Sequence, residues 1–554
     1  MKVRGPLSDS YWSAVLLVVS ALVPFLGLSS ALGPLLPTLE HDVHLSAQAL
    51  QLTLGMSNAA YALGTVLAVQ LAVHYPQRRL LVIYAALFTL GSVAAATAFT
   101  PGLFIAGHVV QGLFTSMMLI AAAPALVLGF PSSRLPTTAM VMNLGIFGAV
   151  AAGPFFGGLQ AQAHGWRPIL WVVCGIGALA LVLSLLTFED TPAQAPEAPR
   201  DWWAIVLAGL GCAAAFFGAS ELQTHPMVSL LVLAPLVAGT VLLIILVLYQ
   251  VLARNPLMPM AQLLTTFCVP AVMIAVAAGA ASIPLIELAQ LALQKTVSPI
   301  HLGVLLLPFL GGALLTAFLF GVLVKTRWIP LLAWSGLIAV MGGAAVLTGM
   351  AGGPQALVLV GSGLVGLGVG SSVAPALFSV GFTLHAPQLP RVFAMLELLR
   401  GAAAFAAGPI ILHFAQTVGP SPAQGIDKAA WLCFAIVGAG ALVSLYVFIL
   451  GRGRLQRPDI VRWEESGEPA WYSPPLFAGI RSPSVPEARG RSGDSGRSGD
   501  GNGDGGHNGN GNGNGNGSHN GHSLLAPGSR EAARLEAYAR AVELACGEHP
   551  ASGD

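Results

Sequence analysis

The stretch NLGIFGAVAAGPFFGG, residues 143–158, lies in one of the most apolar parts of the chain and still contains five glycines and a proline. In water these residues weaken a helix, whereas membrane helices carry them often. At about 100° per residue, Gly145, Gly148, Ala149, Ala152, Gly153 and Gly157 share one half of a helix surface. Such a face lets another helix pack closely and slide. Pro154 removes the backbone bond to the carbonyl of Val150 and is expected to bend the helix there. The stretch therefore reads either as a bearing between moving helices or as static small-residue packing.

The surrounding composition selects the solvent. The 554 residues are 55% hydrophobic and 9% charged, with a mean hydropathy of +0.75, which marks an all-α polytopic membrane protein. A net charge of +1 gives no footprint for a nucleic acid. Cys174, Cys212, Cys268 and Cys433 fall in apolar runs and Cys546 near the end, a scatter that suggests neither a disulfide framework nor a metal site. Crossing about 30 Å of hydrocarbon takes about 20 apolar residues. Fourteen such runs lie near residues 11–36, 49–73, 80–99, 102–128, 138–159, 168–188, 202–221, 227–252, 264–292, 300–323, 329–349, 355–380, 391–417 and 430–450. The run after Lys2 and Arg4 is too long for a signal peptide and lacks a small-residue cleavage pattern, so it is the first span.

Cytoplasmic loops hold an excess of Lys and Arg. With the N-terminus inside, the cytoplasmic segments hold Lys2, Arg4, Arg78, Arg79, Arg134, Arg200, Arg254, Lys325, Arg327, Arg391, Arg452, Arg454 and Arg457, and the other side only Arg167, Lys295 and Lys428. Both termini are therefore expected in the cytoplasm. The chain also repeats itself. APAL occurs at 123–126 and 374–377, AGP at 152–154 and 407–409, and a basic pair follows both the second span (Arg78, Arg79) and the tenth (Lys325, Arg327). The common order and nearly common offset point to a six-span unit used twice in parallel orientation, with two spans between the copies.

Six, two and six spans, with a Gly-rich fifth span ending in Gly153-Pro154-x-x-Gly157-Gly158, resemble the fourteen-helix drug/proton antiporters of the major facilitator superfamily, whose fifth helix carries such an antiporter motif. The resemblance extends over residues 10–450. It implies the major facilitator fold: a six-helix half at 1–188, two linker helices at 202–252, a second half at 264–450 and a cytoplasmic tail at 451–554. It also implies a multi-pass protein of the cell membrane. Several motifs depart from the family's. After the second span, HYPQRR keeps Arg78 and Arg79 but has His74 near an acid's place and Gln77 where a Gly is expected. HVVQG in the fourth span has His108 where the family has Arg, and keeps Gln111 and Gly112. The first span offers Gly27, Leu28, Ser29 and Ser30 where the family usually has an Asp. The run at 284–308 looks like the family's ninth-to-tenth helix connection, through Pro284, Ser298, Pro299, Gly303 and Pro308.

Proton exchange needs a titratable group inside the membrane. The candidates are His108, Glu287, Glu397 and, near a membrane edge, Glu221. His108, Gln111, Gly112 and Thr115 lie at helical spacing and read as a polar stripe facing a central cavity; a histidine titrates near neutral pH. A hydrogen-bonded packing histidine is the alternative. Glu287, toward the outer end of the ninth span, either gates the exit or snorkels to water. Glu397 and Arg400, three apart, can pair on one face, as a switch or as a static buried pair. Asn58, Tyr61 and Thr65 on the second span, with Ser29 and Ser30 on the first, add uncharged polar groups. So apolar a cavity suits amphipathic solutes better than sugars.

Residues 490–522, rich in Gly and Asn, cannot bury apolar surface and read as a disordered linker; His507, His519 and His522 read as linker residues. A tail helix near 530–546, capped by Ser529 and ended by Gly547, places Leu535, Tyr538, Val542 and Ala545 on one face that can dock an unknown partner. No GxxxxGK[ST] phosphate loop occurs, so no cofactor is expected and the proton gradient is the expected energy source. The reading is a secondary transporter embedded in the lipid bilayer, not an enzyme, exporting lipophilic or amphipathic small molecules in exchange for protons by rocking its two six-helix halves about a midplane site. A dedicated lipid or metabolite exporter, or a membrane sensor acting through the tail, are the alternatives.

Overall fold

A computed structural model of the chain describes residues 6–187, 197–253, 256–258 and 260–476. Among them fourteen helices are long and apolar enough to cross a membrane, as many as the apolar runs. They are α1 (Tyr11–Val43), α2 (Ala47–His74), α3 (Gln77–Ala96), α4 (Pro101–Leu128), α5 (Ser132–Gln162), α6 (Arg167–Thr187), α7 (Trp202–Gln223), α8 (Leu230–Leu252), α9 (Cys268–Leu293), α10 (Pro299–Leu323), α11 (Ile329–Leu347), α12 (Ala356–Phe382), α13 (Ala386–Thr417) and α14 (Pro422–Leu450). Side-chain oxygens start many of them. Ser46 accepts from the Ala49 amide, Thr100 from Leu103, Asp201 from Ala204, Ser298 from His301 and Ser421 from Gln424. Proline at the first position of α4, α10 and α14 suits a site whose amide has no helical partner.

Helices α1–α6 pack mainly on one another, and so do α9–α14. Of the inserted pair, α7 lies against α2 and α8 lies against α7. Asp201 is the hub of that attachment: its amide donates to Gln70 Oε1 at 3.1 Å, and its carboxylate accepts from Tyr249 at 3.1 Å and Gln250 at 2.9 Å. The two large groups meet chiefly where α5 runs beside α10 and α2 beside α13.

The structure departs from the sequence reading at three places. Helix α1 continues through Pro24, Pro34 and Pro37 to Val43, beyond the expected border at 36. Packed neighbours re-satisfy carbonyls that a proline frees, so proline does not end a buried membrane helix. In α5 the winding changes before Pro154: a helix at Leu135–Asn143 opens into a π-turn at Leu144–Gly148 and resumes at Ala149–Gln162. Gly145 and Gly148 occupy the turn, where the missing Cβ eases the wider winding. The third departure is the segment after Gly451, expected as free tail. Its first part folds back on the body, with a short helix α15 (Ile460–Ser466) capped by Asp459. Trp463 Nε1 donates to the Leu384 carbonyl at 3.1 Å, the Trp471 amide to Phe382 at 2.9 Å, and the Thr266 amide to Pro474 at 3.0 Å. Both tryptophans are almost fully buried, which offsets the entropy of ordering the strap. Glu464 reaches the other group, accepting from the Ser132 amide at 2.8 Å. The expected linker at 490–522 and helix at 530–546 lie outside the described residues.

Candidate functional site

The Gly-rich face of α5 seats α1. A Cβ on Gly153 would overlap Ser30 and the Gly27 carbonyl, one on Gly157 would overlap the Ala31 backbone, and Gly145 faces Leu22. The contact across the two groups falls to Gly158, where a Cβ would overlap the Pro299 carbonyl of α10, and to Gly303 of α10, which lies on the backbone of Pro154 and Phe155. Gly148 lies beside Leu144 and Leu310. Most of the motif therefore binds α5 to its own group, and its final glycine makes the close crossing to the other.

Between the groups, a narrow cavity is lined by Leu119 of α4, Met142 and Ile146 of α5, Ala374 and Phe378 of α12, and Phe393 and Glu397 of α13. It is wide enough for about one water molecule. Its walls are apolar, and the Glu397 carboxylate is turned away from it toward its own partners. The Glu397 carboxylate receives Arg400 Nη2 at 2.5 Å and Nε at 3.4 Å. It also accepts from the Tyr61 hydroxyl of α2 at 3.2 Å. Tyr61 stacks on Phe25 of α1, rings 6.0 Å apart and nearly parallel. Glu397 is 2% exposed and Arg400 6%, so neither charge has water to fall back on. The i,i+3 pair expected from the sequence is present, and a tyrosine from the opposite group completes it. Such a pair is held by geometry more than by net stabilisation, since desolvation offsets most of its Coulomb attraction.

His108 is placed elsewhere. Gln111 Nε2 donates to Ser92 Oγ at 2.9 Å, so its Oε1 is turned to accept from His108 Nδ1 at 2.8 Å; His108 Nε2 then accepts from Ser29 at 3.2 Å. Ser92 passes its hydrogen to the Phe88 carbonyl at 2.8 Å. This chain joins α1, α3 and α4 within one group, with His108 fully buried between Phe25 and Phe104. His108, Gln111 and Thr115 do not line the cavity. Thr115 is buried with its hydroxyl unpartnered among the described residues, and Asn58 is buried on α2. Thr65 bonds back to Ala62, and Ser30 to Leu26 and Gly27. Glu221 sits in the last, 3-10 turn of α7, joined to His225 at 3.2 Å and Gln48 of α2 at 3.4 Å. Glu287 is partly buried on α9, its carboxylate against Gly408 of α13. In the basic loop, Arg78 caps the Leu185 carbonyl at 2.9 Å. Gln77, in the expected glycine's place, donates to the Ala121 carbonyl, and His74 bonds to Ala198 ahead of α7. Arg79 stands beside them at the start of α3.

One group escaped the sequence reading. Asn143, the first residue of the opening stretch, donates from Nδ2 to the Gly370 carbonyl of α12 at 3.1 Å, a further polar link between the groups, beside the cavity. Its Oδ1 is buried and unpartnered among the described residues. An amide inside a membrane span, just ahead of its glycine-rich run, was the available signal.

A profile of the Major Facilitator Superfamily matches residues 17–407. The tetracenomycin C resistance and export protein of Streptomyces glaucescens is 26% identical over 52% of this chain and 54% of its own length. The multidrug resistance protein Stp of Mycobacterium tuberculosis is 27% identical over 61% of this chain and 64% of its own. The drug efflux pump JefA of the same organism is 29% identical over 30% of this chain and 33% of its own. The chain thus spans between about a third and two thirds of these relatives. Among solved structures, the human organic anion transporter MFSD10 aligns with a TM-score of 0.53 at 14% identity, over 79% of this chain and 99% of that one. A peptide transporter, POT, aligns at 0.54 and 15%, over 81% and 96%. These two share the fold. With the profile running from α1 into α13, the chain belongs to the Major Facilitator Superfamily.

Proposed function

We propose that this protein exports lipophilic or amphipathic compounds across the cell membrane in exchange for protons, its two groups of six helices rocking about the cavity with both termini in the cytoplasm. The observation that carries the reading is the Glu397 carboxylate, held beside an apolar cavity by Arg400 of its own helix and Tyr61 of the opposite group. A proton or a cationic solute reaching Glu397 weakens its hold on both partners, and loss of the Tyr61 bond frees the groups to part. Apolar walls of Met142, Ile146, Phe378 and Phe393 suit solutes with large apolar surfaces. Relatives named for drug efflux and resistance favour such solutes, and the excess of Lys and Arg on one side favours cytoplasmic termini.

The test is ethidium efflux, followed by fluorescence, in pump-deficient cells expressing the chain, with and without a proton uncoupler. Expression-dependent efflux that the uncoupler abolishes is expected. Absence of efflux from well-expressed protein contradicts the broad substrate range, and efflux indifferent to the uncoupler contradicts proton exchange.

A further inference from the structure

The internal repeat places two residues in equivalent surroundings. Ser30 stands as far from Tyr11, the start of α1, as Glu287 does from Cys268, the start of α9. Each faces the glycine of an Ala-Gly-Pro triplet on the helix packed beside it. A Cβ on Gly153 of α5 would overlap the Ser30 hydroxyl, and one on Gly408 of α13 would lie 3.0 Å from Glu287 Oε2. Ser30 is neutral and satisfied, its hydroxyl 3.1 Å from the carbonyls of Leu26 and Gly27. Glu287 is a carboxylic acid in the same setting, with no hydrogen bond or ion pair among the described residues.

The groups around it leave it unpaired. On α13, Arg400 and Glu397 lie two turns nearer the end where the chain begins and occupy each other. Further along α13, His413 bonds to the Leu222 carbonyl at 2.8 Å. On α14, Cys433 lies within electrostatic reach, while Asp427 and Lys428, near the start of the helix, bond to the Gly349 amide and the Val418 carbonyl. Helices α11 and α12 contain no charged residue. On α10, His301 is held by Gln355, and α1 approaches through Gly33, beside Gln290. An ionised carboxylate without a partner is costly in such surroundings, and a neutral one is not.

We propose that Glu287 is the residue that carries the exchanged proton. The proposal rests on the exchange reading above. With α9 and α13 closed over Gly408, the carboxyl keeps its proton; when their outer halves part, outside water gives the carboxylate a proton, and when the groups open to the cytoplasm the carboxyl passes that proton to water there, only the O–H bond being made and broken. The half built on α1 holds a serine at the equivalent point, so proton carriage belongs to the α9 half alone.

The test uses the purified full chain in proteoliposomes with ethidium as the probe, comparing the natural protein with Glu287→Gln and Glu287→Asp. Three quantities are read: ethidium accumulation driven by an imposed pH gradient, ethidium exchange without a gradient, and proton movement on ethidium addition. Glu287→Gln is expected to lose gradient-driven accumulation by about tenfold or more, and the proton movement with it, while exchange stays within about twofold. Glu287→Asp is expected to keep all three. Full coupling in Glu287→Gln overturns the assignment alone. Loss of exchange together with accumulation marks a structural role and also overturns it. A natural protein that moves no protons overturns the exchange reading itself.

Discussion

Tyr61 and Glu397, 336 residues apart in the chain, meet through a 3.2 Å hydrogen bond that joins α2 to α13 across the two helix groups. Because the same carboxylate is clamped by Arg400, protonation or solute binding at one oxygen acts on a contact between the groups. A hydrogen bond to a charged group contributes about 1.5–3 kcal/mol, which shifts a two-state balance by about 10- to 100-fold.

Tyr61→Phe keeps the ring against Phe25 and removes only the hydroxyl. It is expected to weaken the closed arrangement, so that a cysteine introduced at Phe393, on the cavity wall, is alkylated about tenfold faster than in the Tyr61 background. Equal alkylation rates would mean that the hydroxyl does not hold the groups together.

Glu397→Gln strands the Arg400 charge, and Arg400→Gln strands Glu397. Each is expected to destabilise the protein by about 3–5 kcal/mol, whereas the double substitution, which leaves no charge unpaired, recovers most of that loss. Thermal unfolding in detergent reads the cycle. Additive losses would argue against direct coupling of the pair.

Gly158→Val places a branched side chain against the Pro299 carbonyl and Ile300 of α10. Overpacking of this kind costs about 1–3 kcal/mol where the helices are closest, and ethidium efflux is expected to fall while the protein is still inserted. Gly175→Val on α6, where nothing lies within 4 Å of an added Cβ, serves as the control and is expected to transport normally. Equal activity of the two variants would remove Gly158 from the moving contact.

His108→Ala leaves Gln111 Oε1 and the Ser29 hydroxyl without their partner. An unpartnered buried polar group costs about 1–3 kcal/mol. The variant is expected to melt earlier yet keep uncoupler-sensitive efflux, because the bond chain lies within one group. Loss of that sensitivity at normal stability would return His108 to the proton path.

The number of helices was readable because each span must bury its own backbone bonds and show a long apolar run. The Glu397–Arg400 pair was readable for a related reason: contacts three residues apart on a helix are local. Tyr61 as the third partner was not, since no period or spacing relates positions on α2 and α13. The π-turn at Leu144–Gly148 was hidden because glycine and proline signal weakness in a helix without saying which bonds rearrange. Residues 459–476 read as tail because their anchors, Trp463 and Trp471, stand in a polar run, and only the folded body offers the carbonyls of Phe382 and Leu384 and the rings of Phe267 and Phe382 that bury them.

The central claim is that the two groups close at one end as they open at the other. Spin-label distances in lipid nanodiscs test it most directly, with one pair of cysteines at His164 and His301 and a second at Ser133 and Thr326, at opposite ends of the α5–α10 contact. Adding ethidium or changing pH is expected to lengthen one distance while shortening the other, and Glu397→Gln is expected to blunt the response. Two distances that stay fixed, or that change in the same direction, would contradict the account.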